Sequence, residues 1–363
     1  MKHLLVYCYF CPDAVFRGGG VQQIIGPLLS ALAQSFSWNV SVAHTGPCEA
    51  PLRHIILPNS TEAKQPDAVN PDILVESAQQ LLEIAKDCDV VLSVDRELPC
   101  LIPRPCVLMS NTLCYQTEAA AIQANQWNSI VVPTDAFARF VRALNESVQI
   151  RVMPYGLPEA VFQIAAVSVR RDPYPLVVRL PHRPDPRKGH REAIEGLARA
   201  LPESRNVRLE ISWLDEDRYK TYRSQIMDLS RELGVASQVS FSGWLNGNER
   251  WNATMNSSAV LQLGRFEETF GLSLVESILF GRCAVTRHQP AVREIVGATP
   301  LLIEIGDPLD WYSAVQNQRS NELWSAGVEV REFLSRKLSL QRMVEGYDSV
   351  LTEAVTMVKK GMQ

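Results

Sequence analysis

Residues 267–277 read EETFGLSLVES and set Glu268 and Glu276 eight positions apart around a Phe-Gly pair. A helix is expected to begin near Gly271. Glu268 sits just before that end, within reach of a substrate hydroxyl. Glu276 falls about one and a half turns into the helix, by the 3.6-residue period, among Leu272, Leu274, Val275, Ile278 and Leu279. A carboxylate in apolar surroundings needs partners. A ligand diol offers two O–H donors that a carboxylate accepts. An internal salt bridge would also serve, as would an exposed site near the N-terminus favoured by the helix dipole. RPDPRKG, residues 183–189, gathers Arg183, Arg187 and Lys188 after a strand. Arg as a planar fork and Lys as a point charge suit a diphosphate; a solvated turn is the alternative. RGGGVQQ, residues 17–23, joins the first strand to the first helix, where an open parallel sheet binds anions. Gly18 and Gly20 fit a dinucleotide fingerprint, but Gln23 stands at its third glycine and VAHTG ends the second strand without an acid, which argues against a nicotinamide enzyme. A plain turn remains open for this loop, although three glycines also permit close backbone approach.

Alternating elements must position these residues. HLLVYCYF, NVSVAH, DVVLSVD, PCVLMSN, SIVVPT and IRVMPYG read as strands. Between them VQQIIGPLLSALAQSF, ILVESAQQLLEIAKD and DAFARFVRAL carry helical periodicity, the last with Asp135 as its cap candidate. The series restarts with DPYPLVVRL and alternates through GHREAIEGLARAL, VRLEISWL, RYKTYRSQIMDLSRELG, QVSFSGW, NERWNATMNS, AVLQLG, GLSLVESILFG and CAVTR. Such alternation predicts an α/β chain of two doubly wound parallel sheets. Residues 153–175, rich in proline and without periodicity, are expected to be the linker. The expected domains are 1–155 and 156–339, with a long amphipathic helix over about 340–363 packing back on the first.

The 363 residues have a net charge of −4, and the first 155 hold ten basic side chains against fourteen acidic ones. No basic field for nucleic acid or anionic lipid is expected. No run is long enough to span a bilayer, and the N-terminal apolar stretch is too short for a signal sequence, so a cytoplasmic protein is expected. Of eight cysteines only Cys8 and Cys11 form a CxxC; buried reduced thiols are expected.

Together these pieces resemble the retaining glycosyltransferases of family 4, which have the GT-B fold. Carrying the resemblance are Arg183 and Lys188 five apart with Gly189 next, the E-x7-E pair with Phe-Gly inside it, and GRCAVTRHQPAVREIV. GGGVQQ is similar to the family's N-terminal glycine loop, and VMPYGLPEAVF to its interdomain segment. The resemblance implies two Rossmann-like domains facing across a cleft, a nucleotide-diphosphate sugar (UDP, GDP or other) as donor, and a hydroxyl acceptor. Glu276 would hold the ribose and Glu268 the donor sugar. Phe270, Gly271 and Leu272 would offer N–H groups to sugar and phosphate. Arg183 and Lys188 would neutralise the diphosphate. Gly243, Trp244 and Leu245 would lie along the base, and Gly19 and Gly20 would approach the donor from the N-terminal half. Neither a metal nor another cofactor is implied, the mechanism being front-face attack with the departing phosphate taking the acceptor's proton. A sugar-nucleotide isomerase, a phosphorylase or a silent binding protein on the same fold are the alternatives. One departure stands out. Family members usually carry a His after a middle N-domain strand, and here Ser110, Asn111 and Thr112 occupy that region. Asn111 can hydrogen-bond a sugar hydroxyl but cannot move a proton. Asp95, at a strand end, is a candidate on the acceptor side. The acidic N-terminal half favours a soluble acceptor over a lipid, with no integral membrane contact.

Overall fold

The computed structural model describes residues 1–8, 20–36, 38–44, 52–57, 71–95, 104–111, 116–124, 127–167, 175–201, 203–213, 217–245, 247–317 and 322–361. Two compact units divide the chain: residues 1–158 with 338–363, and residues 159–337.

In the first unit the chain runs β1 (Lys2–Cys8), α1 (Gly20–Ser35), β2 (Trp38–His44), β3 (Arg53–Ile56), α2 (Pro71–Ala85), β4 (Val90–Val94), β5 (Cys106–Met109), α3 (Gln116–Gln123), β6 (Ser129–Val132), α4 (Asp135–Leu144) and β7 (Ile150–Val152). All seven strands are parallel, in the order β3-β2-β1-β4-β5-β6-β7. The central strands are apolar without interruption because both faces are covered: every residue of β4, β5 and β6 is buried. The N-cap of α4 is Thr134, whose side chain accepts the Phe137 N–H. Asp135 is instead the first helical residue, where its charge favours the helix dipole.

In the second unit come α5 (Glu159–Val167), β8 (Leu176–Leu180), α6 (His190–Arg199), β9 (Val207–Trp213), α7 (Asp217–Glu232), β10 (Val239–Gly243), α8 (Gly247–Met255), β11 (Ala259–Gln262), α9 (Leu272–Leu279), β12 (Cys283–Thr286), α10 (Pro290–Val296), β13 (Leu302–Glu304), α11 (Trp311–Gln316) and α12 (Glu322–Lys337). Its parallel sheet has the order β10-β9-β8-β11-β12-β13. The segment read as a linker contains α5, whose Val161, Phe162 and Ala165 are buried.

The last helix, α13 (Leu340–Gly361), belongs to the first unit. It packs on α1, β4 and β5 through Met343, Val344, Tyr347, Leu351 and Ala354, spaced at helical intervals. Each large apolar side chain buried there contributes about 1.5–3 kcal/mol. Asp348 Oδ1 accepts the Trp38 indole N–H at 2.7 Å, and Arg151 pairs with Glu353 at 2.8 Å. Gly156 lets the returning chain pass, since a Cβ there would stand 2.6 Å from Leu340 Cα.

In each sheet the strand order reverses once, between β1 and β4 and between β8 and β11. Ligands of open parallel sheets bind outside the strand C-termini at such a reversal. In the second unit the loops there are residues 181–189, after β8, and residues 263–271, after β11. They hold Arg183, Lys188, Glu268 and Gly271.

Candidate active site

The loop after β8 is built to aim Lys188. Asp185 caps a 3-10 turn over Pro186–Lys188 by accepting the Arg187 N–H at 2.9 Å. The same carboxylate takes the Arg187 fork, Nε at 3.0 Å and Nη2 at 2.7 Å, and these bonds hold its carboxyl below the usual range. Arg187 is thereby tied to Asp185, and its guanidinium also stands 5.4 Å from the Phe266 ring centroid. Gly189 ends the turn at φ 89°, a left-handed conformation that glycine adopts without strain. It faces Gly264 so closely that a Cβ on either residue would overlap the other loop's backbone. The two strand-end loops touch main chain to main chain, and His182 adds a tie through Nε2 to the Leu261 carbonyl at 2.9 Å.

This contact brings Lys188 Nζ to 2.6 Å from Glu268 Oε1, with both side chains largely covered. The ammonium also lies 3.8 Å from the Phe266 ring centroid. Gln262 Nε2 donates to the same Glu268 oxygen at 2.8 Å. Arg183 is exposed and has no ion-pair partner among the described residues, leaving its charge available. Phe270 is buried. Gly271 caps α9 at φ 75°, where a Cβ would collide with Val292. The helix thus starts at Leu272; the Leu274 and Val275 N–H groups both donate to the Gly271 carbonyl at 3.0 Å, and those of Leu272 and Ser273 precede the first bond of the helix.

Glu276 is buried, and its burial has an internal explanation. Arg250 Nη2 at 2.6 Å and Trp251 Nε1 at 3.1 Å, both from α8, donate to Oε1. Burial raises its carboxyl pKa, and these donors pull it back. No hydrogen bond from the described residues reaches Oε2, so one acceptor remains. Gly243 ends the edge strand β10, followed by half-buried Trp244 and Leu245. The Trp244 indole N–H has no partner among the described residues.

In the first unit, Gly20 opens α1, while Gly19, Thr112 and Cys11 lie outside the described residues. Asn111 is 3% exposed, and its side chain is engaged. Its backbone N–H donates to Asp95 Oδ1 at 2.5 Å, Nδ2 donates to Asp95 Oδ2 and the Met109 carbonyl, and Oδ1 accepts from Tyr155 OH at 2.8 Å. Asp95 has φ 53°, the one left-handed non-glycine residue among those described. Cys8 is a free buried thiol whose pKa burial pushes far up.

Behind the Lys188 loop lies His190, fully buried and edge-on to Trp213 and Tyr222. The carbonyls of Asp185 and His182 are near but outside hydrogen-bonding geometry, so burial dominates and pushes its pKa from 6.5 down to about 4. His182 is lowered too, first by burial and then by Lys188 and His190. A histidine depressed on folding costs nothing above pH 6.5 and destabilises as pH falls toward 4, because the unfolded chain takes up the proton first. For His190 alone the loss is about 3 kcal/mol by pH 4. Urea unfolding from pH 7 to 4 should show this slope, and the variant His190→Gln should be flatter by that amount. Equal slopes would contradict the assignment.

The sequence pointed to the cations and carboxylates but missed the residues that hold them: Gln262, Gly264, Gln289, Arg250 and Trp251. Gln262 left one trace, a polar residue interrupting the apolar run AVLQL. No group of three metal-ligating side chains occurs among the described residues. The acidic run Asp215-Glu216-Asp217 that follows β9 has no described side chains. No helix of the described residues is long and apolar enough to cross a membrane.

Residues 167–317 match the profile of the family described as Glycosyl transferases group 1. That segment contains every candidate from Arg183 to Glu276. No curated protein sequence matches the chain. Sucrose-phosphate synthase from Thermosynechococcus elongatus superposes with a TM-score of 0.78 at 15% identity, covering 98% of this chain and 100% of the other. A glycosyltransferase from Rickettsia africae gives 0.74 at 14% identity, covering 98% of each chain. HepE from Anabaena, in complex with UDP and glucose, gives 0.73 at 14% identity, covering 97% of this chain and 100% of the other. At these identities the likeness establishes the fold. The chain thus has two Rossmann-like units, as in GT-B glycosyltransferases, with residues 167–317 matching the Glycosyl transferases group 1 family.

Proposed function

We propose that the protein transfers a sugar from a nucleotide-diphosphate donor to a hydroxyl acceptor, with retention and without a metal. One observation carries this reading: Lys188, Glu268 and the start of α9 converge at the sheet reversal of the unit that bears the family match. Breaking an anomeric C–O bond builds negative charge on the diphosphate. Lys188, Arg183 and the helix N-terminus stabilise it there. Glu268 orients hydroxyls of the sugar, and Glu276 Oε2 accepts from the ribose. No side chain is assigned as nucleophile; the leaving phosphate takes the acceptor's proton. The solved complex of HepE with UDP and glucose makes a uridine donor the first to try. The acidic N-terminal half favours a soluble acceptor.

A thermal-shift screen of UDP, GDP, ADP and TDP sugars tests the reading, since a ligand of the native state raises Tm. With the donor found, Glu276→Ala should weaken it at least about tenfold, the scale of a lost charged hydrogen bond. Unchanged affinity in calorimetry would sink the ribose role. Because that variant removes the carboxylate that Arg250 Nη2 contacts, Glu276→Gln serves as the control for folding.

One observation favours a second reading, a donor-binding protein without turnover. Asn111 stands where the resemblance expects a His, and its amide is tied to Asp95 and Tyr155. Tight donor binding with no product on a broad acceptor panel would support it.

A further inference from the structure

Glu268 is held on more sides than a surface carboxylate requires. Gln262, fully buried at the end of β11, donates from Nε2 to Glu268 Oε1 at 2.8 Å and to the Phe266 carbonyl at 3.4 Å. Gln289, 2% exposed at the start of α10, holds the backbone of the same segment. Its Oε1 accepts the Glu268 backbone N–H at 2.9 Å, and its Nε2 donates to the Phe266 carbonyl at 2.9 Å. Lys188 completes the set at 2.6 Å on Oε1. Both side-chain donors thus converge on one oxygen. Oε2 accepts no hydrogen bond from the described residues and is not among the buried unpartnered atoms, so it keeps some exposure.

The second observation is a cost. Gln262 Oε1 is buried and has no hydrogen-bond partner among the described residues. Turning the amide over would set that oxygen against the Phe266 carbonyl and the Glu268 carboxylate, so both acceptors fix its orientation. An unsatisfied buried acceptor destabilises. The side chain is itself fully buried, so an apolar residue of similar length would suit the position better for folding alone. A buried group of this kind calls for an explanation, and the two bonds donated by the same amide supply one.

We propose that Gln262 and Gln289 are positioning residues that lock the Glu268 carboxylate with Oε2 turned toward the donor sugar, Gln262 through the side chain and Gln289 through the backbone. The inference rests on the reading of Glu268 as the sugar contact. It follows that the two glutamines affect recognition of the sugar and leave recognition of the nucleoside diphosphate alone.

Calorimetry with UDP-glucose and UDP tests this, or with the GDP, ADP or TDP pair that the wild type binds best, combined with urea unfolding. Gln262→Met should be as stable as the wild type or more so, bind the diphosphate unchanged, and lose about tenfold in affinity for the sugar nucleotide. Gln262→Glu sets a second carboxyl against Glu268. Its sugar-nucleotide affinity should be low at pH 8 and recover toward pH 5, where the pair shares a proton. Gln289→Leu provides an independent test should Gln262→Met fail to fold. Loss of both ligands alike in a folded variant would overturn the proposal, as would loss of stability with sugar affinity intact. If Glu268→Gln binds the sugar nucleotide like the wild type, the reading of Glu268 itself fails. If the wild type binds no sugar nucleotide, both fall.

Discussion

Lys188→Ala should lower sugar transfer, or hydrolysis of the donor by water, by about a hundred- to a thousandfold. That is the scale for removing a preorganised group facing charge that develops in the transition state. The ammonium is held by Glu268 at 2.6 Å, stands over Phe266, and rides on a turn fixed by Asp185. Its place is set before a ligand arrives, so little reorganisation is needed. Arg should not substitute. The longer planar guanidinium cannot occupy a point between a carboxylate and a ring face, so Lys188→Arg should remain at least about tenfold impaired. Arg183 remains in both variants and keeps part of the diphosphate affinity. The rate should therefore fall further than the donor affinity does. Steady-state rates with calorimetric donor affinities separate the two. A folded Lys188→Ala protein with transfer at the wild-type rate would remove Lys188 from the reaction.

Gly264→Ala should be the most damaging single methyl group in the second unit. The added Cβ would overlap the Arg187 carbonyl oxygen, which is main chain and cannot rotate away as a side chain would. Either the 3-10 turn or the end of β11 must move. Overpacking against rigid backbone costs about 1–3 kcal/mol, and here the displaced turn also carries Lys188. Urea unfolding should show a loss at the upper end of that range, and donor binding should fall even where the protein stays folded. Gly234 is the control. It has φ 72°, and a methyl group added there would meet no atom within 4 Å, so Gly234→Ala should show only backbone strain and normal donor binding. Equal stability of Gly264→Ala and the wild type would mean that the two loops do not meet as described.

The alternation of apolar runs and periodic stretches was enough to imply two parallel sheets, because the central strands are buried on both faces and read as apolar runs, while the helices between them show a one-sided period. Several elements escaped. β3 reads RHII and β13 LIE, short runs interrupted by charge, the sixteen-residue α12 was not read as a helix, and α5 hides in a segment whose prolines suggested a linker. The cap of α4 was misplaced by one residue, since Thr134 and Asp135 are both good caps by type and only backbone geometry separates them. At the site, the cations and carboxylates stood out as residue types, while their pairings did not. Gln262 and Gln289 are 27 positions apart. No local rule connects them to Glu268.

What the sequence determined by itself is the inventory: two α/β halves, a glycine-punctuated cationic turn, and two acids flanking the start of an apolar helix. Period and residue chemistry are local properties, legible along the chain. The tertiary structure decided how the inventory is divided. It ties Arg187 to Asp185, gives Lys188 to Glu268, answers Glu276 with Arg250 and Trp251, and engages the Asn111 amide with Asp95 and Tyr155. Hydrogen bonds and ion pairs act over about 3 Å, a distance set by which strand ends become neighbours. The order β10-β9-β8-β11-β12-β13 makes β8 and β11 adjacent although 78 residues separate the end of one from the start of the other. That adjacency turns two unremarkable loops into one candidate site.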